Sequence, residues 1–354
     1  MKNKTQEKLS IFLISIFILI SCSPDTNEKH YVQTFNDFPI TTNLFHEKIT
    51  TDSILYSVGG LLLLDSVLIS VDFKADTFFQ VFKLPSFTHI GGYITKGPGP
   101  DEEIIMDPFI GRISNNEFMY KGLSSIKFIK YNNTNNFEIT TRINLPDNLV
   151  EVWAPIKLGD TIISNKAFSL TEKEYIGYNI ENKKQFDFGS NYPFINKKID
   201  PNLKAIVFAK ANAVKPDGTA FACVYDKFPI LRIYTNSGEL KKEIRFNNGQ
   251  SFPYALIDKN PSEYSLKEVM QDYRFIKSSN DYIYASYVGK NANELPDGLH
   301  YFSNEIHVWN WDGEPIKRII LDENIFAFEV DSHDNYIIAT SLLNINTFYK
   351  FNLK

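Results

Sequence analysis

Cysteine is almost missing from this chain: Cys22 and Cys223 are the only two in 354 residues. The six histidines, His30, His46, His89, His300, His307 and His333, include no pair at metal-ligand spacing and none with a cysteine partner. That argues against zinc, and the lack of an Asp-x-Asp-x-Asp-Gly loop argues against calcium. Basic excess is lacking as well. The 37 Lys and Arg are outweighed by 42 Asp and Glu, a net charge of −5, so no field draws in nucleic acid. The apolar run from Leu9 to Ile20 is about 12 residues, short of the ~20 that cross a bilayer. Signatures of catalysis are missing too. There is no Gly-x-Ser-x-Gly, and the Gly-rich segment 91–99 lacks the Gly-Lys-Ser/Thr ending and following helix of a phosphate loop. Ser124-Ser125-Ile126-Lys127 matches only a bare Ser-x-x-Lys pattern without its companion motifs. The sequence offers no catalytic residue, no cofactor and no metal.

What is present begins at the N-terminus. Lys2, Lys4 and Lys8 precede the short apolar run, which ends in Leu19-Ile20-Ser21-Cys22. A basic start, a short apolar stretch and small residues at a cut site describe an export signal over residues 1–21. The cysteine at the cut resembles the lipobox of bacterial lipoproteins. The resemblance implies that the Cys22 thiol receives a diacylglyceryl group and that Cys22 becomes the first mature residue. It also implies a membrane-anchored lipoprotein of the bacterial cell envelope, in the outer membrane on its periplasmic or surface side. An acylated Cys22 leaves Cys223 without a disulfide partner. Cys223 lies in the apolar string Ala220-Phe221-Ala222-Cys223-Val224, where a buried thiol is expected.

Residues 22–45 read as the lipidated cysteine and a flexible polar tether, followed by one folded unit over 46–354. Phe (29) and Tyr (19) are abundant and favour strands. An apolar strand, a polar turn and a second strand rich in β-branched and aromatic residues recur six times. The turns fall at Asp65-Ser66, Ser114-Asn115-Asn116, Gly159-Asp160, Lys215-Pro216-Asp217-Gly218, Ser278 to Asp281, and Asp331 to Asn335. Asp, Asn and Gly fill them because they tolerate tight or left-handed backbone. A second hairpin follows each copy, most clearly around Asn236-Ser237-Gly238 and Asp312-Gly313. Four strands about every 50 residues predict an all-β, six-bladed β-propeller with four-stranded antiparallel blades. A sandwich rarely repeats such a unit six times, and a β-helix has a much shorter period. The last copy has three strands. A strand over roughly His46 to Tyr56 is expected to supply the fourth and close the ring, hiding two open edges.

In a propeller the turns 1–2 and 3–4 of each blade lie on one face, here called the bottom. Connections 2–3 and 4–1 lie on the top. The long connections 95–106, 191–204, 247–272 and 290–303 all fall on the top, so a binding site is expected there. A helix capped by Ser262 with a stripe of Leu266, Val269, Met270 and Tyr273 is expected in the longest of them. Asp226, Asp272, Arg274 and Lys290 lie at or near top loops and are candidates to hold a polar ligand.

The segment Lys96-Gly97-Pro98-Gly99-Pro100-Asp101-Glu102 fixes φ at its prolines and frees it at its glycines, building a rigid structural loop. It resembles the Gly-x-x-Gly-x-Gly-Pro-Gly-Glu-like segment of the TolB-like six-bladed propeller lipoproteins. Here an extra Pro100 intervenes and Asp101 stands where Glu is frequent. Tyr287-Val288-Gly289-Lys290 is similar to the Tyr-x-Gly-Arg/Lys segment of the same family, which adds Tyr287 to the candidate ligand-binding residues. The resemblance implies a six-bladed envelope lipoprotein and lends no catalytic residues. The expected function is binding or scaffolding through the top-face loops, for a ligand or a protein partner. Two alternatives stand beside it. One is an enzyme acting on glycans or lactones in the central funnel, which clustered carboxylates there would favour. The other is an accessory subunit of an envelope complex, which exposed apolar top loops around Phe252, Tyr254 and Leu295 would favour.

Overall fold

An apolar strand, a polar turn and a second apolar strand form the building unit, and the computed structural model contains six. It describes residues 31–53, 55–132, 136–146, 149, 152–166, 171–195, 199–249, 270–294, 302–341, 344 and 346–354. Three strands precede the first blade: β1 (Val32–Phe35), β2 (Thr41–Leu44) and β3 (His46–Thr50). Blade 1 consists of β4 (Val58–Leu63), β5 (Val67–Asp72), β6 (Thr77–Lys83) and β7 (Thr88–Thr95). Blade 2 consists of β8 (Gly111–Arg112), β9 (Glu117–Lys121), β10 (Ser125–Asn132) and β11 (Asn136–Asn144). Blade 3 consists of β12 (Trp153–Leu158), β13 (Thr161–Asn165), β14 (Lys173–Asn179) and β15 (Gln185–Asn191). A short helix, α1 (Pro201–Val207), leads to blade 4, with β16 (Lys210–Val214), β17 (Ala220–Tyr225), β18 (Phe228–Thr235) and β19 (Leu240–Phe246). Blade 5 consists of β20 (Met270–Ser278), β21 (Tyr282–Asn291), β22 (Ser303–Asn310) and β23 (Pro315–Ile325). Blade 6 consists of β24 (Ala327–Val330), β25 (Tyr336–Thr340) and β26 (Thr347–Asn352), with β3 as its outer strand. Residues 33–354 form one unit.

Burial follows position in the blade. β4, β5 and β17 are buried along their whole length, because neighbouring blades cover both faces. Outer strands such as β11 are largely exposed. Each of the six blade interfaces has its own apolar core. Blades 1 and 2 meet at Phe79, Phe118 and Tyr120; blades 2 and 3 meet at Met119, Phe128 and Ile162. Blades 3 and 4 share Tyr175, Phe221 and Tyr234, and blades 4 and 5 share Val224, Ile233 and Trp309. Tyr284, Val308 and Tyr349 join blades 5 and 6. Leu68, Phe82 and Phe348 join blades 6 and 1. A buried ion network crosses the interface of blades 3 and 4. The fully buried Glu174 carboxylate accepts from Arg232 at 3.1 Å and from the Tyr225 hydroxyl at 2.6 Å, and Arg232 also pairs with Glu243 at 2.5 Å.

The ring closes as the three-stranded last copy requires. β3 pairs antiparallel with β26, from His46 opposite Phe351 to Thr50 opposite Thr347. Two further strands lie in the stretch expected to be tether, so order begins well before residue 46. β1 lies on the outer edge of blade 4, and β2 runs parallel to β23 on the outer edge of blade 5. With β3 they form a strap across the rims of three consecutive blades. Phe38 pins it: the residue is 5% exposed, and its ring packs 4.4 Å from His307, 5.0 Å from Phe35 and 5.4 Å from Trp309. His46 adds a polar tie, donating its N–H to Asp322 at 3.1 Å.

The helical stripe in the longest connection does not extend as expected. Met270 and Tyr273 belong to strand β20, where Tyr273 pairs opposite Tyr287. Two positions three apart serve a helix and a twisted, bulged strand equally, so the spacing did not discriminate. Ser262, Leu266 and Val269 lie outside the described residues, as do Cys22, Phe252, Tyr254 and Leu295.

Candidate functional site

Four of the five candidate ligand-binding residues come together on the top side between blades 4 and 5. Asp226 follows β17, and its backbone carbonyl accepts the N–H of Asp272 at 2.7 Å. Arg274 stands 3.7 Å from the Asp226 carboxylate. The Tyr287 hydroxyl accepts from Asn248 Nδ2 at 2.8 Å, and the same amide group lies 3.5 Å from the Asp272 carboxylate. Asp272 is 2% exposed. Burial pushes its carboxyl up to about 7, and a hydrogen bond from Tyr287 pulls weakly the other way. Burial also raises Asp226, against the opposing pull of Arg274 and Lys227. Two reluctant carboxylates held by a few donors form a tight polar seam. Lys290 stands apart, exposed and opposite Gln271 near the far end of β21.

The Gly97-Pro98-Gly99-Pro100 loop is tied at every side. The Gly97 N–H donates to the Glu103 carbonyl at 3.1 Å, and the Gly99 N–H donates to the Glu102 carboxylate at 2.9 Å. A Cβ on Gly97 would collide with that carboxylate. Arg142 holds Asp101 at 3.2 Å and the Pro100 carbonyl. Glu103 is buried against Lys127 at 2.8 Å and the Tyr120 hydroxyl at 3.2 Å. These contacts lock the loop as a platform that exposes Ile104 and Ile105.

The third feature is the central channel, with a cavity of about 530 Å³ bounded by the inner strands of all six blades. Phe109, just ahead of β8, reaches across the axis near the top. Its ring centroid lies 6.1 Å from Phe275 of blade 5 and 6.0 Å from Trp153 of blade 3. Asp107 positions it, accepting the Phe109 N–H at 2.9 Å and the Ala154 N–H at 2.8 Å. Below this plug, polar ties run from blade to blade. Asn212 donates to the Ala154 carbonyl at 3.2 Å, Ser278 to the Val214 carbonyl at 2.7 Å, and Asp65 N–H to the Asn115 carbonyl at 3.2 Å. Gly60 is required where blades 1 and 2 meet, since a Cβ there would strike the Pro108 carbonyl.

The described cavity reaches the 1–2 turns, on the bottom face, rather than the top face where the long loops predict a site. Its carboxylates, Asp65, Asp217 and Glu329, are each matched to a cation: Arg112, Lys215 and Lys277. Among the described residues no group of His, Cys, Asp and Glu is arranged to hold a metal. The sequence reading missed Phe109, Asp107 and the channel cations. One signal was available: Arg112, Lys157, Lys215 and Lys277 recur at or just before the 1–2 turn in four consecutive copies.

A model of the TolB-like 6-blade propeller-like family matches residues 56–333. The fold is similar to that of a Bacteroides fragilis protein whose description is that of an exported protein, with 12% identity, a TM-score of 0.59, and coverage of 91% of this chain and 99% of that one. It is similar as well to a member of the DUF4221 family from Bacteroides vulgatus, with 12% identity, a TM-score of 0.58, and coverage of 88% and 97%. At such identity the likeness shows the fold alone. No curated protein matches the chain. Six four-stranded blades, the strand that closes them, and a family match over most of the chain lead to one conclusion: this chain belongs to the TolB-like six-bladed propeller family.

Proposed function

We propose that this chain is an exported, lipid-anchored binding protein of the bacterial envelope that engages a protein partner through its top face. One observation carries the reading. Among the described residues, six of the eleven large exposed apolar side chains lie on the top connections, Tyr56, Ile104, Ile105, Leu123, Phe194 and Ile206, while Tyr31, Val32, Ile40 and Phe45 lie along the N-terminal strap and Phe186 on β15. None lies on a described 1–2 or 3–4 turn. The Met106–Gly122 bridge brings Ile105 and Leu123 to neighbouring positions, and the locked Gly-Pro loop presents them on a rigid base. Grouped exposed apolar residues on one face fit a protein interface. The signal over 1–21 and the Cys22 lipobox support the anchor, and the exported neighbour of the same fold supports the envelope, with the outer membrane as the proposed location.

An enzyme acting on glycans or lactones fits less well, because each carboxylate in the described funnel is ion-paired. Photo-crosslinking probes at Ile105 and Phe194, with Asp217 as bottom-face control, test the proposal in intact cells of the source bacterium. A discrete protein adduct from the top-face positions alone is expected. Adducts from Asp217 alone, or from no position, would overturn it.

A further inference from the structure

The channel cavity reaches the bottom face through the 1–2 turns. Phe109 lies across its upper part, between Trp153 of blade 3 and Phe275 of blade 5. Exposed turn residues from different blades, among them Asp65, Asn115, Asp217, Asn280 and His333, ring its mouth. Its volume of about 530 Å³ suits a small molecule. The apolar residues along its walls are turned into the blade interfaces: Leu61 is 0% exposed, Ile156 6%, Ile276 4% and Phe328 1%. Polar and apolar groups face the axis in about equal measure. Each inner strand has one edge with no neighbouring strand, so backbone N–H and C=O groups point inward.

Charge adds to this. Arg112, Lys157, Lys215 and Lys277 reach the cavity from blades 2, 3, 4 and 5, against three carboxylates. The pairing is uneven. Lys215 and Lys277 are each held at 2.8 Å, by Asp217 and Glu329. Arg112 stands 3.7 Å from Asp65, whose side chain is 61% exposed at the mouth. The Lys157 ammonium has no ion-pair or hydrogen-bond partner among the described residues. Arg112 also donates Nε to the Ser114 carbonyl at 3.3 Å; this loosely paired guanidinium and the unpaired Lys157 ammonium, on adjacent blades inside a concave wall, draw an anion.

We propose that this cavity binds a small polyhydroxylated organic anion, which enters from the bottom face. Arg112 and Lys157 meet its carboxylate or phosphate group, and the free strand edges meet its hydroxyl groups. The site lies on the far side of the Phe109 plug from the top face and does not depend on the protein-partner reading. Titration calorimetry on the full mature chain in detergent, at low salt, tests it with four probes: glucuronate, glucose 6-phosphate, glucose and inorganic phosphate. Either sugar anion should bind, and the tighter one names the acid group. Glucose and inorganic phosphate should each bind at least ten-fold more weakly. Lys157→Gln and Arg112→Gln should each weaken the sugar anion at least ten-fold while thermal unfolding of the free protein stays unchanged. The proposal falls if neither sugar anion binds, if either control binds as tightly, or if both substitutions leave the affinity intact.

Discussion

Lys277 of blade 5 donates to the Glu329 carboxylate of blade 6 at 2.8 Å, and the same ammonium donates to the Leu61 carbonyl of blade 1, also at 2.8 Å. One side chain thus joins three blades at the axis, across the seam where the ring closes. Removing one partner of a largely buried pair leaves the other charge uncompensated, at a cost of roughly 3 kcal/mol. Lys277→Met should lower stability by about that much, and adding Glu329→Gln should restore part of it. Urea denaturation of both single variants and the double variant measures the coupling. Strictly additive losses would show that the pair is not coupled.

Asp272 sets a pH dependence. Its carboxyl titrates near 7 in the folded protein, against about 3.9 unfolded. The folded state therefore binds the proton more tightly. The stability this confers is complete below about pH 4 and is lost as pH rises through about 7, amounting to roughly 4 kcal/mol. Asp226, facing Arg274 and Lys227, shifts in the same sense. Asp272→Asn cannot ionise. It should be more stable than the parent at pH 8 and show no such gain at pH 4. Denaturation midpoints at the two pH values decide the matter; an equal effect at both would refute the assignment.

Phe38→Ala should cost about 3 kcal/mol, the usual loss for a buried aromatic ring. It should also raise amide exchange in β1 and β2 and along the outer edges of blades 4 and 5 before exchange rises elsewhere. Hydrogen-exchange mass spectrometry reads this directly. Uniform acceleration across all six blades would mean that the strap is not a separate unit.

Cys223 should be inert in the folded protein. It is 0% exposed, and burial, reinforced by the Glu174 charge, pushes its thiol up to about 12. In a Cys22→Ser chain, iodoacetamide at pH 8 should label nothing until urea unfolds the protein. Labelling of the native chain within minutes would contradict this burial.

The legibility of these features in the sequence follows from their range. Asn236-Ser237-Gly238 and Asp312-Gly313 are local turns, with Gly238 and Gly313 at positive φ, and local backbone demands leave a readable residue signature. The closing strand was legible by count, because a three-stranded last blade needs a fourth. β1 and β2 were not. Thr-Thr-Asn-Leu and Val-Gln-Thr-Phe are short and mostly exposed, and the partners that order them lie hundreds of residues away. Phe109 could not be read as a plug, since an aromatic residue in a loop carries no mark of the wall it touches. Asp226 and Asp272 sit on adjacent blades, and only the ring brings them together.

Thr51 and Asn346 hydrogen-bond 295 residues apart, beside the pairing of β3 with β26. During synthesis β3 emerges among the first strands and its partner among the last, so the seam has no means of closing until nearly the whole domain has been made. Contacts of such sequence separation slow folding. A ring latched first-to-last stays open and threadable for as long as its final blade is missing.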